Sequence, residues 1–212
     1  MGENYLTVTG ESENVTVIER SKFICKIKGV ENEDDAKNFV AAVKKEYSLA
    51  THNCYAYIAD EKGLIQKFSD DGEPQGTAGI PMLETLKNKG LSKVVAVVTR
   101  YFGGIKLGTG GLARAYSGAV GDCLNNSKIC KKEKVAYVTV YTDYGGYSKV
   151  SGVCNQLGVK ILNTDFNDAV VFRTAVKENV KDKFFEKLTD VFCGNIKYEI
   201  TGDGFEPFGV NE

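Results

Sequence analysis

The sequence predicts an α+β fold in two domains, an N-terminal β-α domain over residues 1–130 and a ferredoxin-like βαββαβ domain over residues 134–206. Three observations point there. Period-2 apolar runs alternate with period-3.6 runs along the whole chain. A polar, basic stretch from Asn125 to Lys134 separates two such sets. Beyond it the order reads strand, helix, strand, strand, helix, strand, the split βαβ pattern.

In the first domain Val15–Ile18 and Phe23–Ile27 read as strands joined by the polar turn Glu19 to Lys22. Asn32-Glu33-Asp34-Asp35 offers a cap followed by acids in a first helical turn. The apolar face of that helix is Ala36, Phe39, Val40, Val43 and Tyr47. Asn53–Ile58 and Leu64–Phe68 follow as strands about the turn Asp60 to Gly63. Asp70-Asp71-Gly72-Glu73-Pro74 is a hard break, and a helix starts near Ile80-Pro81, where proline costs no hydrogen bond. Lys93–Thr99 is nearly all apolar, which marks a central strand covered on both faces. A glycine-rich loop from Gly103 to Gly111 leads into a helix over Leu112–Leu124, rich in small residues that allow close approach to a sheet. In the second domain the strands fall near 135–142, 159–166, 169–176 and 196–201, with helices near 147–157 and 177–191.

Composition narrows the function. Apolar residues are 42% of the 212-residue chain, enough for a sizeable core. No apolar run approaches the roughly 18 residues of a membrane span, and Met1 to Val17 lacks the basic and apolar parts of an export signal. A cytoplasmic protein without membrane partners is expected. The six cysteines form no CxxC pair and read as small buried hydrophobes. No metal is expected from them or from the single histidine, His52, which stands two residues before Cys54. His52 and Cys54 as base and thiol nucleophile lack an evident orienting carboxylate.

Net charge is −1, but its distribution is uneven. Between Thr85 and Gly121 lie six cations, Lys87, Lys89, Lys93, Arg100, Lys106 and Arg114, and no acid. The remainder holds 21 basic against 28 acidic residues, or −7. Inside that island Gly103, Gly104, Gly108, Gly110 and Gly111 stand between a strand and a helix. Loop amides and a helix start suit a phosphate, with Arg100, Lys106 and Arg114 closing round it and Lys87, Lys89 and Lys93 widening the patch. The other reading is a tight crossover whose glycines only permit packing. Neither a Walker loop nor a Rossmann fingerprint is present. Asp70, Asp71 and Glu73 form an acidic cluster with two readings, a Mg²⁺ or acid-base site and a solvated turn capping the next helix. The second domain shares its strand order with RNA-recognition modules. It lacks their aromatic signature on its third strand, Ala169 to Thr174, and from Lys134 onward has 9 basic and 11 acidic residues.

The run Asp70-Asp71-Gly72-Glu73-Pro74, then Gly76 to Gly79, then Val97 to Gly108, resembles the signature of the Impact/YigZ family. Ser21-Lys22-Phe23 and His52-Asn53-Cys54-Tyr55-Ala56 fit it too. The resemblance spans nearly the whole first domain. It implies a first domain shaped like the second domain of a small-subunit ribosomal protein and like GHMP-type kinases. It also implies a second domain like the last domain of elongation factor G. Eukaryotic relatives act in translational control through a longer chain with an extra N-terminal domain. The resulting expectation is a binding protein for RNA, ribosome or translation factor, with an enzyme acting on a phosphorylated or nucleotide substrate and a protein-protein regulatory module as alternatives.

Overall fold

The computed structural model describes residues 4–210. Its contacts divide the chain into two compact units, one reaching Lys131 and including the strand end from Phe208, the other Lys132–Pro207. The fold is α+β with antiparallel sheets.

The first unit contains β1 (Asn4–Val8), β2 (Glu11–Ile18), β3 (Ser21–Gly29), α1 (Glu33–Glu46), β4 (His52–Ile58), β5 (Gln66–Ser69), α2 (Gly79–Asn88), β6 (Val94–Tyr101) and α3 (Gly108–Asn125). Five strands pair in the order β2-β3-β6-β4-β5, each neighbour antiparallel. β6 lies in the middle because its alternate residues serve two cores. Val94, Ala96 and Val98 pack with Met82 of α2 and Tyr116 of α3. Val95 and Val97 pack with Val40 and Val43 of α1 on the other face. The uninterrupted apolar run thus reports burial on both faces, achieved here in an antiparallel sheet. α1 begins as its sequence dictates: Asn32 accepts from the Asp35 amide at 2.9 Å, with three acids in the first turn.

Several elements differ from expectation. β1 has no strong alternation, yet Tyr5 and Val8 are buried and the Thr7 hydroxyl donates to the Lys93 carbonyl at 2.8 Å. The β2–β3 turn is only Glu19-Arg20, both at positive φ (45° and 63°), so the strands run closer to the turn than the polar residues suggested. β5 starts two residues late, at Gln66. The polar stretch 125–134 is not a linker throughout, since β7 starts at Ile129. Within it Cys130 is buried next to the exposed Lys131, as neighbours on a strand can be.

The second unit carries most of β7 (Ile129–Thr142), then α4 (Tyr147–Leu157), β8 (Lys160–Phe166), β9 (Val170–Lys177), α5 (Lys181–Val191) and most of β10 (Lys197–Val210). The strand order β10-β7-β9-β8 is the ferredoxin-like arrangement. Val138, Val140 and Phe172 of the sheet meet Val150 and Cys154 of α4 and Phe184 and Leu188 of α5. Five cysteines are buried, and Cys193, just past α5 at φ 51°, is exposed. No described helix is long and apolar enough to cross a membrane.

Candidate anion site at the amino end of helix α3

The end of β6 is where the sequence features meet. Arg100 pairs in register with Phe23 of β3 on one side and His52 of β4 on the other. Its residue is only 5% exposed, so it is not an open surface cation. The guanidinium sits 5.4 Å from the ring centres of both Phe23 and Phe102. Nη1 donates to Glu73 Oε1 at 2.7 Å and Nη2 to Ser21 Oγ at 3.3 Å. The expectation that Arg100 reaches outward to an anion is corrected by this geometry. A strand residue two positions before the loop alternates inward, and a buried charge requires a partner, which Glu73 supplies.

Glu73 in turn organises its neighbours. Its Oε1 also accepts from the Tyr116 hydroxyl at 2.8 Å and lies 3.8 Å from His52 Nε2. Burial first, then Cys54 and Glu73 beside it, push the Tyr116 phenol far above its ordinary range. His52 Nδ1 faces the Asp71 carbonyl at 2.9 Å. A carbonyl only accepts, so Nδ1 carries the proton and, in the neutral ring, Nε2 keeps a lone pair. Cys54 is fully buried, donates Sγ–H to the Asp70 carbonyl at 3.0 Å, and is pushed by burial up to about 12. It has the environment of a packing thiol rather than of a nucleophile.

The three carboxylates of the acidic loop do not converge. Asp70 accepts from the amides of Gly76 (2.8 Å), Ala78 (3.0 Å) and Gly79 (2.8 Å), fastening the start of α2. Burial pushes its carboxyl up, but the three amides outweigh that and hold it below its ordinary range. Asp71 pairs with Lys44 at 2.5 Å and accepts from the Asn53 amide at 2.7 Å, with the same net lowering against burial. Among the described residues no three His, Cys, Asp or Glu side chains gather as a metal site. This is the capping role, extended to a loop-wide scaffold.

The glycines divide into two roles. A Cβ on Gly103 would come within 2.1 Å of the Arg20 carbonyl, so this residue lets the loop cross the β2–β3 turn. Its amide donates to Ser21 Oγ at 3.2 Å. Gly108, at φ 70°, opens α3 four residues earlier than expected, so Gly108 to Gly111 form the first helical turn rather than a loop. Leu107 caps that end without a side-chain hydrogen bond, and no acid lies in the turn. Gly104, Gly108 and Gly110 are exposed there, with nothing against a Cβ at the first two. The packing reading holds for Gly103, while the amide-presenting reading fits Gly108 to Gly110.

A cavity of about 430 Å³ adjoins this end, with His52, Glu73, Arg100, Phe102, Lys106 and Thr109 among its lining. A second hollow of about 440 Å³ lies between Glu19, Lys106 and Arg114, so Lys106 borders both. Lys106, Arg114 and the turn residue Arg20 are exposed and make no ion pair among the described residues. Lys87, Lys89 and Lys93 do not join them. They lie before the start of β6, and the eight-residue strand separates them from the loop by about 25 Å. Lys87 bonds Glu84 at 2.9 Å and Lys93 faces Glu31 at 3.7 Å. A contiguous island in sequence is therefore split by a strand. Ser21 and Phe102 stand in the family-like runs but were given no role, and Tyr116 and Thr109 belong to the site without having been named for it. Tyr116, the one aromatic in a helix of small residues, carried a visible signal too.

In the second unit the Tyr137 hydroxyl donates to Glu206, Tyr141 to Glu199, and Arg173 pairs with Asp165.

The chain resembles known proteins over most of its length. The Impact N-terminal domain model matches residues 19–124, and the model described as Domain of unknown function (DUF1949) matches residues 141–195. The chain is 41% identical over 194 residues to IMPACT family member YvyE of Bacillus subtilis, covering 92% of this chain and 89% of that one. It is 36% identical over 197 residues to IMPACT family member YigZ of Escherichia coli, covering 92% and 97%. A solved structure described as the crystal structure of an hypothetical protein superposes with a TM-score of 0.63 at 34% identity, over 94% of this chain and 98% of the other. The residues that build the buried Glu73–Arg100 centre and the uncapped turn of α3 all fall inside the first matched region, and the chain belongs to the IMPACT family.

Proposed function

We propose that the protein is an RNA- or ribosome-associated binding protein connected with translation, which engages phosphates at the amino end of α3. The carrying observation is an 18-residue helix that starts at Gly108 with no side-chain cap and no acid in its first turn, beside the unpaired cations Lys106 and Arg114. Such an end presents free amides and partial positive charge. Arg20, whose main chain lies against Gly103, is a further exposed cation with no ion pair among the described residues. The buried Glu73–Arg100 pair supports this surface from below: it fixes the ends of β6 and of the acidic loop without lending net charge. The contact is electrostatic, and sequence preference is not demanded of it.

The test is binding of structured RNA and of ribosomal particles as a function of salt, for the parent and for Lys106→Ala/Arg114→Ala. Each lost phosphate contact lowers the log–log salt slope by about one unit. The double variant is expected to keep its melting temperature and lose roughly two units of slope. An unchanged slope with an unchanged fold places the contact elsewhere and defeats the proposal.

A further inference from the structure

The cavity beside α3 has more detail than a phosphate-tracking surface needs. Its volume, about 430 Å³, is that of a small-molecule site, a class spanning roughly 300–1,000 Å³. Its lining is divided. Pro74, Phe102, Leu107 and Leu112 make an apolar wall, while Lys106, Thr109 and the first amides of α3 make a polar, cationic end.

Phe102 is the key wall residue. It is 46% exposed, with its ring 5.4 Å from the Arg100 guanidinium. Its main-chain N–H is held by Thr51 Oγ1 at 3.1 Å. An exposed ring so supported stacks a planar guest with little ordering cost. Arg100, itself more than nine-tenths buried and lining the cavity, holds an Nε–H with no hydrogen-bond partner among the described residues. That nitrogen is sealed from solvent, so the donors that a guest's acceptors meet are Lys106, Thr109 and the first amides of α3. His52, tethered through Nδ1, presents Nε2 toward the same space near Glu73.

We infer that this cavity holds one nucleoside monophosphate unit, its base against Phe102 and its phosphate at Lys106, Thr109 and the amides of Gly108 to Gly110. A triphosphate fits less well, because Glu73 lies in the wall and Lys106 is the exposed cation on the cavity's rim. The guest has two sources with the same chemistry, a free nucleotide and the 5′-phosphorylated end of an RNA chain. The inference rests on the preceding reading only in placing phosphate at α3.

The test is isothermal titration of the full chain at low salt with 5′-AMP, 5′-UMP and adenosine, and with an RNA tetranucleotide bearing either a 5′-phosphate or a 5′-hydroxyl. At least one monophosphate is expected to bind, and 5′-AMP at least about tenfold more tightly than adenosine, the worth of a charge-assisted contact. Lys106→Ala is expected to weaken it about tenfold. Thr109→Asp is the sharper variant: an acid in the first turn favours the helix, so the melting temperature holds or rises while the carboxylate repels phosphate and binding is lost. If the RNA end is the source, the 5′-phosphorylated tetranucleotide binds about tenfold more tightly than its hydroxyl form. If the free nucleotide is, the two tetranucleotides bind alike and below 5′-AMP. No heat from any phosphorylated probe at millimolar concentration, or unaltered binding by a folded Thr109→Asp, overturns the inference. That failure beside a salt slope still sensitive to Lys106 and Arg114 leaves the RNA surface standing. Nucleotide binding without RNA binding defeats the surface alone.

Discussion

The two ends of β6 carry basic residues with different employment. At the start, Lys93 faces Glu31 and stands over the Tyr5 ring, and Lys87 on α2 bonds Glu84 one turn away. These are exposed or half-exposed pairs of the kind that contribute about 1 kcal/mol or less. At the finish, Arg100 is enclosed with Glu73, both nearly without solvent contact, and the cations left unpaired are Lys106 and Arg114 beyond it. The difference lies in what surrounds each charge. Where water reaches both partners the protein loses little by separating them. Where it does not, one ion pair organises its surroundings, Arg100 holding Ser21 and Glu73 holding Tyr116.

The comparison breaks most visibly at Glu73. Removing one member of a buried pair strands the other, at a cost of about 3–5 kcal/mol. Glu73→Ala and Arg100→Ala are each expected to lose that much in urea denaturation. The double change Glu73→Leu/Arg100→Met should lose much less than the two single losses together, because no charge is left stranded. Additive losses would mean that the pair is not what organises this end.

A second contrast lies within the glycine run. Gly103→Ala places a Cβ 2.1 Å from the Arg20 carbonyl, against backbone that cannot yield without moving the β2–β3 turn. It should cost about 3 kcal/mol or more, in the range of overpacking. Gly104→Ala, at φ 88° with open space around it, should cost only about 1 kcal/mol for the backbone alone. Equal losses would show that the close crossing is not what Gly103 serves.

Acid sharpens the picture at the loop that carries Glu73. Asp70 and Asp71 both have carboxyls held below their ordinary range in the folded chain, despite burial that opposes it. Depressed folded values mean that their stabilisation is fully present above the unfolded value, near pH 4, and is lost as pH falls through the folded value. Urea midpoints should therefore drop from about pH 5 downward, and more gently in Asp70→Asn. A variant with the same acid slope as the parent would remove Asp70 from the account.

Much of the fold was legible because it rests on local periodicity: the two-faced burial of β6, the Asn32 cap and the βαββαβ order can be read from spacing. The site was legible only in part, and the reason is physical. The sequence set Arg100 among the anion-binding cations, and what turns it inward is Glu73, 27 positions earlier and brought in by the loop that Asp70 folds. Likewise Lys93 and Lys106 look like neighbours in one cationic island, while the length of β6 sets them apart. The roles of Thr109 and Phe102 were not legible because their value is positional: one lies in the first turn of a helix, the other is braced by a guanidinium.

The smallest expected effect concerns the start of β6 and decides whether the two ends are functionally distinct. Lys87→Ala/Lys89→Ala removes two cations far from α3, one already satisfied by Glu84 and the other simply exposed. Stability should change by less than about 0.5 kcal/mol, as for surface substitutions generally. RNA affinity at fixed salt should fall less than about twofold, because screening over about 10 Å leaves distant cations little influence on the α3 end. A loss as large as that of Lys106→Ala/Arg114→Ala would mean that the ligand spans the whole strand, and the two ends would then be one surface.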